Sequence, residues 1–130
     1  MSERIVEEIK TELPSILAGD SEKLVNNAVK LGMHLGGKQL STSQIRRVFS
    51  EIKQMGSYDK NRLNLLRPKM AYTAARHGKN VRGKLVGAIV DLQEVLDEGI
   101  KMTNNEVQFR NFKEFFEAIL AYHRYYGGGE

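Results

Sequence analysis

The stretch DKNRLNLLRPKMAYTAARH, residues 59–77, decides how the chain folds. Leu63, Leu66, Met70 and Ala74 recur at steps of three and four, which lines them along one side of an α-helix. Arg62, Lys69 and Arg76 repeat every seven residues, so a helix of about 3.6 residues per turn holds them close in angle. Leu65 and Tyr72 lie beside that cationic stripe. Pro68 either kinks this helix or restarts it. In the second case it occupies the first helical position and Arg62 need not align with the other two cations. Arg67 points toward the apolar side, so it is expected to pair with a carboxylate or reach over an edge.

Moving outward, Lys60–Val90 carries eight Lys and Arg side chains and no Asp or Glu. Residues 41–87 have a net charge of +9, against −1 for residues 1–40 and −4 for residues 88–130. The chain's net +4 therefore hides a basic middle between two acidic ends. Such a block is the electrostatic footprint of a phosphate-binding surface. The 130 residues are enough for one domain with its own core, and 41% hydrophobic with 28% charged residues describes a globular chain. No apolar run approaches the roughly 20 residues of a membrane span. The acidic start, Glu3 to Glu8, does not read as a signal peptide. The absence of cysteine excludes disulfides, thiolate zinc sites and cysteine nucleophiles. A cytoplasmic location is expected.

The remaining chain is also helical in pattern. Ile5, Val6, Ile9 and Leu13 predict a first helix stopped near Pro14, with residues 1–18 able to stay mobile until something docks on them. Asp20 is a candidate N-cap for a second helix carrying Leu24, Ala28, Leu31 and Leu35, ended by Gly36-Gly37. Ser41 and Gln44 form a capping box for a third helix, with Leu40 and Ile45 as its staple. Ile45, Val48, Phe49, Ile52 and Met55 share its apolar face, Arg46 and Lys53 one flank, and Arg47 and Gln54 another. After a turn at Gly78-Lys79-Asn80, Val81, Leu85, Ile89, Leu92 and Leu96 predict a fifth helix, basic at Arg82 and Lys84 and acidic at its far end. That charge order opposes the helix dipole, and a phosphate partner at the basic end would explain it. Thr103 with Glu106, stapled by Met102 and Val107, predicts the start of a last helix. It carries seven of the ten aromatics, over an arc wide enough to serve both a core and a subunit contact. Residues 127–130 read as a frayed tail. The predicted fold is all-α, a compact bundle of five or six helices forming a single domain over residues 1–130.

No motif supports catalysis. His34, His77 and His123 are far apart, and none has a partner at metal-site spacing. Glu7-Glu8 and Asp97-Glu98 are adjacent pairs that a helix points in different directions. Gly36-Gly37-Lys38 lacks the remaining glycine and following Ser/Thr of a phosphate loop. No metal or cofactor is expected. The basic block is different in kind, because a solvated helix face normally mixes its charges. Here five cations fall between Arg67 and Arg82 with Tyr72 among them. With no recognition-helix pattern, contact with the nucleic-acid backbone is expected rather than base readout.

Three stretches taken in order carry a family resemblance: Leu40-Ser41-Thr42-Ser43-Gln44-Ile45-Arg46, then Leu66 through Arg67-Pro68-Lys69 to Arg76, then Phe112 through Phe116 to Tyr122-His123-Arg124-Tyr125-Tyr126-Gly127-Gly128. The set resembles the Csm small-subunit family, the small helical subunit of type III-A CRISPR interference complexes. That resemblance implies a non-catalytic protein of antiviral defence, present as repeated copies in the inner filament of an effector complex. It implies guide RNA and target RNA as partners, together with other subunits and copies of itself, while cleavage belongs to other subunits. The family's basic positions carry over to Arg46, Arg67, Lys69 and Arg76, and further to Lys53, Lys79 and Arg82. Arg62 and Tyr72 join this RNA-binding set from the residue pattern. The alternative is a structural adaptor whose basic face meets acidic protein surfaces instead of RNA.

Overall fold

A computed structural model describes residues 2–36, 40 and 42–127. Six helices carry the fold: α1 (Ser2–Leu17), α2 (Ser21–Gly36), α3 (Thr42–Lys53), α4 (Lys60–His77), α5 (Ala88–Met102) and α6 (Glu106–Tyr125). A small antiparallel hairpin, β1 (Lys79–Val81) and β2 (Lys84–Val86), sits between α4 and α5. The all-α expectation holds, with this hairpin as its one addition among the described residues.

The core forms where the apolar stripes meet. Helix α6 lies against α2, α3 and α1, and α5 is held between α4 and α1. Phe109, Phe112, Phe115 and Phe116 of α6 are fully buried, and Phe116 meets Phe49 of α3 edge-on with centroids 5.0 Å apart. The α2–α6 contact is closer than side chains alone allow. A Cβ on Gly32 would stand 2.6 Å from the Tyr122 Cβ, and one on Gly36 would stand 2.7 Å from the Tyr126 carbonyl oxygen. Glycine at these two positions lets the helix backbones approach.

Three local expectations are corrected. Pro14 does not end α1, which continues to Leu17. Proline removes one backbone donor near the helix end, while the next turn buries Ile16 and Leu17 and closes with Ala18 N–H donating to the Pro14 carbonyl. The apolar face of α1 is buried with them through Val6, Ile9 and Leu13.

The second correction concerns residues 79–87, which do not begin a helix. Arg82 and Gly83 have φ of 53° and 80°, the positive pair of a two-residue hairpin turn, and Asn80 Oδ1 accepts the Gly83 N–H. Gly87 at φ 137° then separates the hairpin from α5. The four-residue spacing of Val81, Leu85 and Ile89 is coincidental: Val81 is exposed and only Ile89 belongs to the helix. The supposed conflict with the helix dipole disappears, since α5 starts with Asp91 in its first turn and ends with Lys101 in its last.

The third correction moves the start of α6 two residues on. Asn105 is the N-cap and accepts from Gln108 N–H, while Gln108 Oε1 accepts from Asn104 N–H. Thr103 ends α5 instead, its hydroxyl donating to the Gly99 carbonyl. Glu106 accepts from Tyr58 N–H and ties down the loop before α4. Val107 is exposed, so the Met102–Val107 staple does not form. The capping box expected at Ser41 and Gln44 lies outside the described residues, as does the tail at 128–130. Asp20 caps α2 as expected, accepting from Lys23 N–H.

Candidate nucleic-acid interface

Helix α4 is one continuous helix from Lys60 to His77 with Pro68 inside it, begun by Asp59 accepting from Arg62 N–H. Leu63, Leu66, Met70 and Ala74 are buried as their spacing requires. Continuity settles the alignment of Arg62, Lys69 and Arg76: each step of seven advances about 10 Å along the axis and turns about 20°. Leu65 and Tyr72 stand out from the same helix, 65% and 66% exposed.

Against this stripe lies α3, and between the two helices runs an open groove. One part, of about 730 Å³, is lined by Arg47, Lys69, Tyr72 and Arg76 together with Pro68 and His77. A second part, of about 200 Å³, brings in Arg62, Leu65 and Gln54. Lys69 and Glu51 border both parts. Lys69 Nζ donates to the two carboxylate oxygens of Glu51 at 3.2 and 3.4 Å.

The nine residues singled out in the sequence thus fall into four places. Arg62, Lys69, Tyr72 and Arg76 line the α3–α4 groove. Arg46 and Lys53 lie on the opposite flank of α3, in a trough of about 530 Å³ shared with Phe49, Leu120, Ala121, Glu117 and Arg124. Lys79 and Arg82 belong to the hairpin and are exposed. Arg67 turns to α5, where its Nε donates to Asp97 Oδ1 at 2.7 Å; that bond and the carboxylate's charge raise its pKa. The same is true in kind of Lys60 in the acid-free block. Its ammonium donates to the carbonyls of Ile100, Thr103 and Lys101 at 2.7, 2.8 and 3.3 Å, closing the end of α5. Burial, and then the Arg67 charge, push the Lys60 pKa down.

Arg47 is the groove residue that sequence reasoning missed. Its flank on α3 was legible beside Gln54, but only the docking of α3 on α4 makes that flank face Lys69 and Arg76. Two of the histidines are structural groups: His34 Nε2–H donates to Asp91 at 2.8 Å, and buried His123 Nε2–H donates to the Leu40 carbonyl at 2.8 Å, while exposed His77 borders the groove. No group of three or more metal-ligating side chains occurs among the described residues. Nor is any described helix long and apolar enough to cross a membrane.

Fold and groove together define a small all-α protein with a cationic cleft between two helices. The family model for Csm2 of type III-A matches residues 18–129, and the chain belongs to that family. It is accordingly a subunit of a type III-A CRISPR effector complex and associates with other Csm subunits. No curated protein matches the chain.

Proposed function

We propose that the chain is a non-catalytic subunit that holds the backbone of guide or target RNA in the α3–α4 groove, acts in the cytoplasm, and packs in the complex as repeated copies. The observation that carries this reading is the alignment of Arg62, Lys69 and Arg76 along one helix, faced by Arg47 across the groove. Cations repeated along a line suit a polymer of phosphates better than a compact ligand. Exposed Tyr72 among them supplies a face on which a sugar or base can rest. Backbone contacts of this kind position a strand without reading its sequence.

The double change Lys69→Glu and Arg76→Glu tests it. Both side chains are exposed, so folding should change by no more than about 0.5 kcal/mol. Binding of mixed-sequence single-stranded RNA should weaken for all sequences alike. If three phosphates are neutralised by the parent, its log–log salt slope should be near −2, at about −0.7 per contact. A folded double variant that holds RNA as tightly as the parent overturns the reading.

The adaptor reading draws its support from the other flank of α3. There Phe49, Leu120 and Ala121 lie between Arg46, Lys53 and Arg124, a mixture suited to a protein partner with an acidic, partly apolar surface. A flat salt response with RNA would favour it.

A further inference from the structure

Residues 41–87 contain two acidic side chains, Glu51 and Asp59, against eleven basic ones. Asp59 has a folding role, because its carboxylate caps α4. Glu51 has none of that kind. It sits in the last turn of α3, where a negative charge opposes the helix dipole. Its pair with Lys69 is open to water, with side-chain exposures of 43% and 62%, and pairs so exposed add little to folding. Yet among the described residues it is the only acid lining a groove that holds Arg47, Arg62, Lys69 and Arg76. A carboxylate at the centre of a cationic groove repels the anion that the groove otherwise attracts, so its position works against both binding and helix stability.

We infer that Glu51 tunes the affinity of the groove by standing in for phosphate: in the RNA-free protein its carboxylate occupies Lys69, and a bound strand must displace it. This rests on the groove being the RNA surface. The physics is an exchange of partners on one ammonium group. Lys69 gives up a carboxylate at 3.2 Å and takes a phosphate oxygen, and the exchange becomes favourable when Arg47, Arg62 and Arg76 hold the same strand. The lysine side chain suits that hand-over, since it is a point charge on a flexible stem with no fixed fork to realign. The price is a lowered affinity for any single contact, which leaves tight binding to strands long enough to engage several cations.

The test measures binding of a mixed-sequence single-stranded RNA by fluorescence anisotropy, with the full chain and its Glu51→Gln, Lys69→Gln and doubly changed variants. Glu51→Gln should bind about two- to fivefold tighter than the parent, the worth of one exposed ion pair. In the Lys69→Gln background the same change should give no comparable gain, because the competition has been removed. Glu114→Gln, an exposed acid on α6 outside the groove, controls for net charge and should gain much less. Parent-like affinity in Glu51→Gln, an undiminished gain without Lys69, or an equal gain in Glu114→Gln each overturns the inference while leaving the groove reading in place. Absence of RNA binding by the parent and every variant overturns the groove reading, and the inference with it.

Discussion

Lys60 Nζ, on the first turn of α4, donates to the carbonyl oxygen of Ile100 at 2.7 Å. A cation from the start of the acid-free block thereby closes the end of a neighbouring helix, where the Ile100 carbonyl also accepts from the C-cap Thr103 N–H. Thr103 and Lys101 carbonyls share the same ammonium. The acid-free block is therefore divided between the fold and the surface.

Lys60→Ala should cost about 1–2 kcal/mol of stability, since it removes the charge-assisted bonds to the Ile100 and Thr103 carbonyls. RNA affinity should stay close to the parent's. Chemical denaturation with anisotropy on the same samples separates the two effects. A stable protein with weakened RNA binding would place Lys60 on the interface instead.

Arg47 and Arg67 make a contrasting pair. Arg47→Glu should weaken RNA binding with no loss of melting temperature, because it lines the groove and is exposed. Arg67→Ala should lower the melting temperature by breaking the bridge to Asp97, and leave the salt dependence of RNA binding unchanged. Identical behaviour of the two variants would contradict the division.

Gly32→Ala brings two effects into opposition. Alanine favours a helix by about 1 kcal/mol over glycine. Here its Cβ would lie 2.6 Å from the Tyr122 Cβ and 2.8 Å from the His123 backbone nitrogen, so α2 and α6 must separate. Backbone cannot give way as a side-chain tip does, and a net loss of about 1–3 kcal/mol is expected. A thermal melt that shows stabilisation would mean that the two helices have slack between them.

Acid should loosen the same region through His123. Burial lowers its pKa, the Leu40 carbonyl opposing that in part, and its Nδ1 is buried without a partner. A folded pKa below the unfolded value means that the unfolded chain binds the proton more readily. The contribution of His123 is thus fully present above about pH 6.5 and declines as pH falls from there toward its folded pKa. Melting curves from pH 7.5 to 5 should show His123→Gln losing less stability than the parent over that range. Parallel losses would remove His123 as the cause.

The helical class, the apolar faces and the charged segment are all legible in the amino-acid order. These follow from short-range periodicity: Leu63, Leu66, Met70 and Ala74 are buried because a helix has a fixed pitch, whatever it packs against. The same logic placed Arg67 toward a carboxylate without naming Asp97. Local competition defeated it at 79–87, where leucine spacing suggested a helix but a glycine-containing turn closed a hairpin. It failed again at Thr103, where two overlapping capping patterns differ only by which one the neighbouring helix leaves free. Which cations share a surface depends instead on how the helices pack. Arg46 and Arg47 are neighbours in the chain, yet consecutive residues on a helix are turned about 100° apart, and α3 sends one toward α6 and the other toward α4. That sorting depends on how α3 docks between α4 and α6, where Phe49 packs edge-on against Phe116, and such packing is not written in the spacing of the charges themselves.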